Sequence, residues 1–431
     1  MRRTFLRPIL TTQPGWGRWP ARLCDSATKP GPPPRGGPFL LSEGITHMAT
    51  DMTRDEIRSA ISDIDQELID AIARRSGLVE EILKAKARTG SPVRDRERER
   101  DVLRAAVQQG SEKGVPAELV ETLFHALFEA SVRRQRQQFD SMRNDELNEA
   151  TVAYLGGPGS YSHIAAQKVF QRRNATVVPS PKRDFVSIFR AVENAEVDYG
   201  VIPIENTTTG SINEVYDILI NSHTQIIGEF LLRVDHCLVG RASGQGRVRR
   251  VFGHPQALAQ CRRYISSHPE LETHMAASTT RALERLLEDD DTAVAVAGED
   301  AARLFGMDIL ERNVGDHEQN ITRFIVIGRK SKLPTREVEC KTSMMFTTRD
   351  TPGSLVNALI GFRDNGINLV KLESRPIAGN PWEEMFIMDV EGHLEDSKIR
   401  ESMSVLEEHT REIKLLGCYA MDAIDKVSVA E

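Results

Sequence analysis

The stretch "VIPIENTTTGSINEVYDIL", residues 201–219, decides how the middle of this chain is read. Its opening residues, preceded by "DYG", form a nearly continuous apolar run, the pattern of a strand covered on both faces. "SINEVYDIL" then reads as a helix. Asn206 and three threonines fall between the two, just past a buried strand, where ligand-binding loops of α/β folds belong. Turn chemistry, or capping of the helix by Ser211, is the plainer reading of the same residues.

The alternation continues on both sides. "TVAYLG" leads into "SYSHIAAQKVF", "RRVFGH" into "ALAQCRRYI", and "TAVAVAG" into "EDAARLFG". Residues 151–330 are therefore expected to form α/β layers around a largely parallel sheet. "LGGPGSYS" (155–162) lacks the final glycine of G-x-G-x-x-G, and no Gly-Lys-Ser/Thr follows. A loop offering backbone N–H groups to a carboxylate at a helix start needs only what is present. "HEQNITRFIVIGR" (317–329) ends the segment. Asn320-Ile321-Thr322 matches a glycosylation acceptor, as do Asn206-Thr207-Thr208 and Asn174-Ala175-Thr176, but no signal peptide accompanies them. Arg323 onward reads as a strand, and alternation points Arg323 away from Thr322. His163 and His254 have no nucleophile elbow beside them and read as structural.

Before this segment the period changes. Ile57, Ile61, Ile64, Leu68 and Ile72 recur at intervals of three and four, and Val79, Ile82 and Leu83 continue the stripe. Thr53 and Glu56 fit a capping box. The helix runs without a stop to "TGSP" (89–92). A second helix follows "SPVRD", and a third follows Val115-Pro116 through "FHALFEASVRRQRQQF". So long a helix has little to pack against within its own segment, and pairing with a second chain is the natural remedy. "RDRERERD" (94–101) would place like charges at four i,i+4 pairs, each costing a few tenths of a kcal/mol. Breaking a local rule so often marks a functional site. Arg75 and Lys86 lie within about 20° of each other on the long helix and about 16 Å apart, able to converge on one anion. Arg58 is about 25 Å from Arg75 and about 100° round the helix, so it reaches the same pocket only from a partner subunit.

After the α/β segment, residues 340–420 read strand, helix, strand, strand, helix, strand, the split βαβ plan. Asn365-Gly366 marks a turn, and "KSKLPTREVE" reads as a linker.

The 431 residues allow about three domains, and 40% hydrophobic with 28% charged residues is a globular composition. No apolar run is long enough to span a bilayer, and a net charge of −7 argues against a general nucleic-acid binder. Five cysteines with no C-x-x-C pair suit reduced, structural thiols in a cytoplasmic protein. Residues 1–50 are rich in Arg, Pro and Gly and read as a disordered extension. Six arginines against two acids also suit an organelle transit peptide, although the proline clusters break the helix such peptides form. A start near Met48 or Met52 reads equally well.

Several motifs resemble known families. "R-x2-I" at Arg58, "ARR", "KAK", "PVRDRERER" and "EASVRRQ" resemble the helical chorismate mutases, which are intertwined dimers. That resemblance implies a substrate-binding set of Arg58 (from the partner subunit), Arg75, Lys86, Asp95, Arg98, Glu99, Ser131 and Gln135. The arginines would clamp the two carboxylates, Lys86 and Gln135 would face the breaking ether oxygen as donors, and Glu99 would accept from the substrate hydroxyl, with no metal and no cofactor. "LGGPGSYSH", "PIENTTTGS", "HPQALAQC" and "NITRF" resemble prephenate dehydratase, implying Thr322 as the essential threonine with Asn206 and Gln260 beside it. Gly253 and Ala277 depart from residues that some relatives carry. "GSLV" (Gly353, Ser354, Leu355, Val356) and "ESRP" (Glu373, Ser374, Arg375, Pro376) resemble the phenylalanine-binding segments of ACT regulatory domains.

The expectation is a multidomain chain: an extension (1–50), an all-α mutase domain (51–142), a two-lobed α/β dehydratase domain (150–330) and a ferredoxin-like ACT domain (340–421). It would take chorismate and prephenate as substrates and phenylalanine as effector, and assemble as a homodimer or a larger homo-oligomer. No nucleic-acid or membrane partner is expected. The rival is a non-catalytic amino-acid sensor on a degenerate enzyme scaffold.

Overall fold

The computed structural model describes residues 53–89, 94–143, 148–173, 175–241, 248–289, 292–317, 319–349, 351–377 and 384–422. Side chains 80, 83–89, 96, 133 and 136–143 inside helices lie outside the description. So do the expected N-terminal extension, Asn174 and, decisive for one site, the side chain of Lys86. Packing divides the chain after Ile57, and the residues from Arg58 onward form one unit.

Helix α1 (Arg54–Thr89) opens on the expected capping box. The Thr53 N–H donates to Glu56 Oε2 at 2.7 Å, and the Glu56 N–H donates to Thr53 Oγ1 at 3.4 Å. Helices α2 (Arg96–Glu112) and α3 (Ala117–Arg143) follow. Val79, Leu103, Val120, Phe128 and Val132 are buried. Apart from Val79, most of the α1 stripe is not: Ile57, Ile61, Ile64, Leu68 and Ile82 are 42%, 54%, 63%, 48% and 49% exposed.

The charged run enters its helix later than the alternation implied. Asp95 is the N-cap of α2, its carboxylate accepting from the Arg98 N–H at 3.0 Å. Arg94 therefore precedes the helix, and the pairs Arg94/Arg98 and Asp95/Glu99 are not helical i,i+4 pairs. Capping removes half of the expected like-charge cost.

Two α/β lobes follow. The first holds β1 (Glu149–Leu155), α4 (Tyr161–Gln171), β2 (Thr176–Lys182), α5 (Phe185–Glu193), β3 (Tyr199–Asn206), β4 (Gly210–Ser211), α6 (Asn213–Asn221) and β5 (Gln225–Arg233). The second holds β6 (Cys237–Gly240), β7 (Arg250–Gly253), α7 (Pro255–Ala259), α8 (Arg262–Ser267), β8 (Glu272–Met275), α9 (Thr279–Glu288), β9 (Ala293–Ala297), α10 (Glu299–Leu304) and β10 (Asp308–Glu311). The chain then returns to the first lobe as β11 (Ile321–Gly328). The sheet orders are β2-β1-β3-β11-β5, with β4 on β3, and β10-β6-β9-β7-β8.

Neither sheet is largely parallel, contrary to expectation. β1 runs parallel to β2 and β3, but β11 is antiparallel to both β3 and β5. In the second lobe β7 is parallel to β8 and β9, while β6 is antiparallel to β9 and β10. The direction of β11 depends on where the chain re-enters the first lobe, which no local pattern encodes. The expected "ALAQCRRYI" helix is also broken into α7 and α8. The Asp316 carboxylate accepts from the Arg262 and Arg263 N–H groups and caps the second piece.

The last domain runs β12 (Cys340–Thr348), α11 (Ser354–Asp364), β13 (Leu369–Pro376), β14 (Glu384–Glu391), α12 (Ser397–His409) and β15 (Thr410–Ala420). Its antiparallel sheet has the order β13-β14-β12-β15, the split βαβ plan. It packs on the first lobe through a shared core in which Met345, Met385, Leu416 and Tyr419 meet Ile202, Tyr216, Ile226 and Ile327. A side chain on Gly417 would collide with the Ile226 carbonyl, so that position requires glycine for β15 to lie so close to β5.

Candidate active sites

Two segments cross between the lobes and run side by side: the Val234 N–H donates to Asn320 O at 2.7 Å, and the Val314 N–H donates to His236 O at 3.0 Å. At this crossing Thr322 of β11 stands opposite Asn206 of β3. Both are buried, and the Asn206 side chain is the centre of a hydrogen-bonded chain.

The directions of these bonds can be worked out from the backbone. Asn206 Oδ1 accepts from the N–H groups of Thr208 and Thr209 at 2.9 and 3.1 Å, which fixes the orientation of the amide. Asn206 Nδ2 therefore donates to Asn320 Oδ1 at 2.7 Å and to Thr322 Oγ1 at 2.9 Å. Because Thr322 Oγ1 accepts, its own proton remains available to a ligand. Thr208 Oγ1 donates to Asn206 Oδ1 at 2.6 Å and so accepts from Gln260 Nε2 at 2.7 Å. Gln260 Oε1 then accepts from Asn320 Nδ2 at 3.1 Å and from His236 Nε2 at 2.7 Å. That leaves His236 Nδ1 to accept from the Tyr161 hydroxyl at 3.2 Å. Burial holds His236 below the usual histidine range and raises the Tyr161 phenol, so both groups are neutral.

Sequence reasoning named Asn206, Gln260 and Thr322 and missed Thr208, His236, Asn320 and Tyr161. Asn320 was visible as the first residue of "NITRF", but without a role of its own. A cavity of about 600 Å³ is lined by His236, Gln260 and Asn320 together with Arg233 and Arg263; neither Thr322 nor Asn206 lines it. His163 and His254 are structural as expected, accepting from the N–H groups of Gly159 and Gln256. Ser211 does not cap α6: the N-cap is Ile212, and Ser211 Oγ donates instead to Glu373 Oε2 at 2.5 Å.

The neighbours of the site pair face the other way. Arg323 stands opposite Glu205 and is buried against the last domain. It donates to Glu229 Oε2 (2.8 Å), Asp389 Oδ2 (2.7 Å) and the Tyr419 hydroxyl (2.8 Å). Burial alone would lower its pKa, but these partners push it well above the usual value. Lys371 lies 3.5 Å from Glu205 and 3.0 Å from Glu373. Hydrogen bonds from Ser211 and Lys371 overcome burial and hold Glu373 below the usual carboxylate range. Arg375 pairs with Asp217 at 3.0 Å. Gly353, at a φ of +82°, is the N-cap of α11, and Ser354 Oγ meets Thr351 Oγ1.

In the helices, Arg75 Nη1 donates to Ser131 Oγ at 2.7 Å and to Leu127 O at 3.3 Å. Glu99 is half-buried and takes 3.0 Å contact from Arg94 Nε, while Arg94 Nη1 reaches Glu129 Oε1 at 2.8 Å. Burial raises the Glu99 pKa, with Arg94 opposing it. Gln135 is buried, and its Oε1 has no hydrogen-bond partner among the described residues. The structure thus joins Arg75 to Ser131 and brings Glu99 against α3. Asp95 is occupied as a cap, and Arg98 and Arg58 are exposed.

The prephenate dehydratase family matches residues 152–332, and the chorismate mutase type II family matches residues 57–136. A bifunctional chorismate mutase/prephenate dehydratase of Escherichia coli (strain K12) is 37% identical over 371 residues, covering 85% of this chain and 96% of that relative. The crystal structure of prephenate dehydratase from Arthrobacter aurescens in complex with L-Phe is 30% identical with a TM-score of 0.56, covering 63% of this chain and 90% of that one. A solved structure described as GqqA, a novel type of quorum quenching acylase, is 32% identical with a TM-score of 0.57, covering 63% of this chain and 98% of that one.

Proposed function

The chain belongs to the bifunctional chorismate mutase/prephenate dehydratase family, and from that premise we propose how its residues divide two reactions of phenylalanine synthesis between them. In the helical domain (51–142), Arg75 and Arg98 clamp the carboxylates of chorismate, with Arg58 supplied by a second subunit. Lys86 and Gln135 meet the ether oxygen as its bond breaks, Glu99 meets the substrate hydroxyl, and Asp95 and Ser131 hold the clamp in place. The Arg75–Ser131 bond supports this assignment. The exposed α1 stripe supports an intertwined homodimer, since each fully covered side chain of this kind contributes roughly 1.5–3 kcal/mol.

Prephenate is then decarboxylated and dehydrated between the lobes of the α/β domain (150–330). The bond to the carboxylate breaks to release CO2, its electrons complete the aromatic ring, and the ring hydroxyl leaves. Thr322 donates a hydrogen bond to that departing hydroxide, which takes its proton from solvent; the threonine itself is too weak an acid to give one up. The observation carrying this reading is the amide of Asn206, fixed by two backbone N–H groups so that Thr322 can only accept from it. Gln260, through Thr208, braces the amide.

The last domain (340–421) is read as an ACT domain that binds phenylalanine. Gly353 to Val356 would offer the N-terminus of α11 to the carboxylate, and Glu373 to Pro376 the facing strand, in a reducing, cytoplasmic setting. The test is to supply the purified chain with chorismate and follow chorismate loss and phenylpyruvate formation with and without phenylalanine. Both should proceed, and phenylalanine should slow the second. Phenylalanine binding with no turnover of either substrate would establish the sensor reading instead.

A further inference from the structure

We propose that Cys340, His393 and Cys418 form a binding site for one thiophilic divalent ion, of the chemistry of Zn²⁺, in the C-terminal domain. The three residues are far apart in sequence and meet only through the sheet. Cys340 begins β12 and pairs with Ala420 of β15, while Cys418 stands opposite Thr342, so the two thiols are diagonal neighbours on one face. His393 follows β14, its position set by Gly392, whose N–H donates to Cys340 O at 2.8 Å. The Thr342 hydroxyl donates to Gly392 O at 2.9 Å from the other side. Both sulfurs and a ring nitrogen of His393 lie within 4.8 Å of one another, and all three residues are buried.

A tetrahedral ion with Zn–S of about 2.3 Å and Zn–N of about 2.0–2.1 Å holds its ligands about 3.6–3.8 Å apart. The observed spacing is within about an ångström of that, a movement side chains alone can make. A direct disulfide fits less well. Diagonal residues on paired strands have Cα atoms about 7–8 Å apart, at or past the roughly 7 Å beyond which a bridge requires backbone movement.

The surrounding groups already resemble the outer shell of a metal site. The Leu394 N–H donates to Cys418 Sγ at 3.4 Å, the contact a thiolate needs once it loses its proton. The Glu395 N–H donates to His393 Nδ1 at 3.1 Å, which places the ring proton on Nε2, facing Pro334 O at 3.1 Å. A neutral imidazole whose second nitrogen donates to a backbone carbonyl is the form in which histidine binds metals. Coordination through Nδ1 takes one lone pair from the Glu395 N–H and forms two metal–thiolate bonds and one metal–imidazole bond in return. Each thiol gives its proton to solvent, so binding releases up to two protons. Water completes the fourth position.

The location assigns the ion a structural role. Val338, two residues before Cys340, forms a small cluster with Val132 of α3 and with Ala420, the register partner of Cys340. An ion bridging β12, β15 and the segment after β14 would fasten the linker and the final strand where α3 rests on them.

The test uses the full chain, stripped with a chelator and titrated with Co²⁺ as a spectroscopic stand-in. One equivalent should produce a thiolate-to-cobalt charge-transfer band with tetrahedral d–d absorption, which Zn²⁺ then removes. Cys340→Ser and Cys418→Ser should each weaken Co²⁺ binding by at least ~100-fold, and Cys237→Ser should not. Should a serine variant fail to fold, X-ray absorption at the zinc edge of the Zn²⁺-loaded wild-type chain decides. Two sulfurs and an imidazole support the site; a shell of oxygen and nitrogen alone overturns it. A wild-type chain without the thiolate band at micromolar Co²⁺, or a band that survives in both folded serine variants, also overturns it.

Discussion

The helical region and the two-lobed region solve the same problem, holding a dicarboxylate in place, with opposite economies of chain. The lobes close their own core around the site, and the side chains from Tyr161 to Thr322 form one hydrogen-bonded chain whose directions can be deduced. Among the described residues, the helices leave most of an apolar stripe uncovered and a buried amide oxygen without a partner. Arg58, moreover, lies about 25 Å along α1 from Arg75. On the proposed assignments, one chain completes the dehydratase site, whereas the mutase site takes residues from two.

The largest effects should separate the two regions. Thr322→Val removes the free hydroxyl while keeping the shape, and should lower the dehydratase rate by ~10³-fold, with mutase activity within twofold; Thr322→Ser should restore most of it. A valine variant that formed phenylpyruvate normally from supplied prephenate would break the assignment. Arg75→Ala should reduce the mutase rate by ~10²–10³-fold, measured as chorismate loss, and leave turnover of supplied prephenate unchanged.

pH sharpens the comparison further. Burial raises the Glu99 carboxyl, so Glu99 keeps its proton above the ordinary carboxylate range and loses it as pH rises through the shifted value. Mutase kcat/KM should therefore rise with pH through that window, as the carboxylate that accepts from the substrate hydroxyl forms, and Glu99→Gln should flatten the profile. His236 shifts the other way, staying neutral as pH falls through the ordinary histidine range. Dehydratase kcat/KM should stay level down to about 6.5 and decline only below it. A decline centred above that value would contradict the neutral tautomer deduced for His236.

The smallest effect concerns communication between domains. Thr322 and Asn206 face the second lobe, while their neighbours Arg323 and Glu205 hold Asp389 and Lys371 of the last domain. Lys371→Met should weaken phenylalanine inhibition by ~5-fold or more and leave the uninhibited dehydratase rate within twofold. Unchanged inhibition would show that this ion pair does not transmit the signal.

What could be read from sequence follows the range of the interactions. The capping box at Thr53 and Glu56, the turn at Asn365-Gly366 and the strand-to-helix alternation are local, and apart from the break between α7 and α8 the elements stand where the pattern put them. The charged run misled because Asp95 caps the helix, so that its first two residues, Arg94 and Asp95, lie ahead of the first helical residue. The mixed sheets were illegible because β11 joins β3 only after a whole second lobe has been built. His236 and Tyr161 escaped notice for a similar reason. His236 stands in no motif, Tyr161 sits in "LGGPGSYSH" with nothing local to single it out, and only the crossing of the lobes brings them to Gln260. Ser211 looked like a cap and proved to be a contact with Glu373 of β13, a partner 162 residues away.

The most direct test of the two-chain mutase site mixes two inactive chains. Arg58→Ala and Arg75→Ala homodimers should each lack mutase activity while turning over prephenate normally. Denatured together and refolded at equal amounts, they should regain about a quarter of wild-type mutase activity, because half of the dimers are mixed and each mixed dimer holds one intact site. No recovery, with prephenate turnover intact in the same tube, would contradict a site shared between subunits.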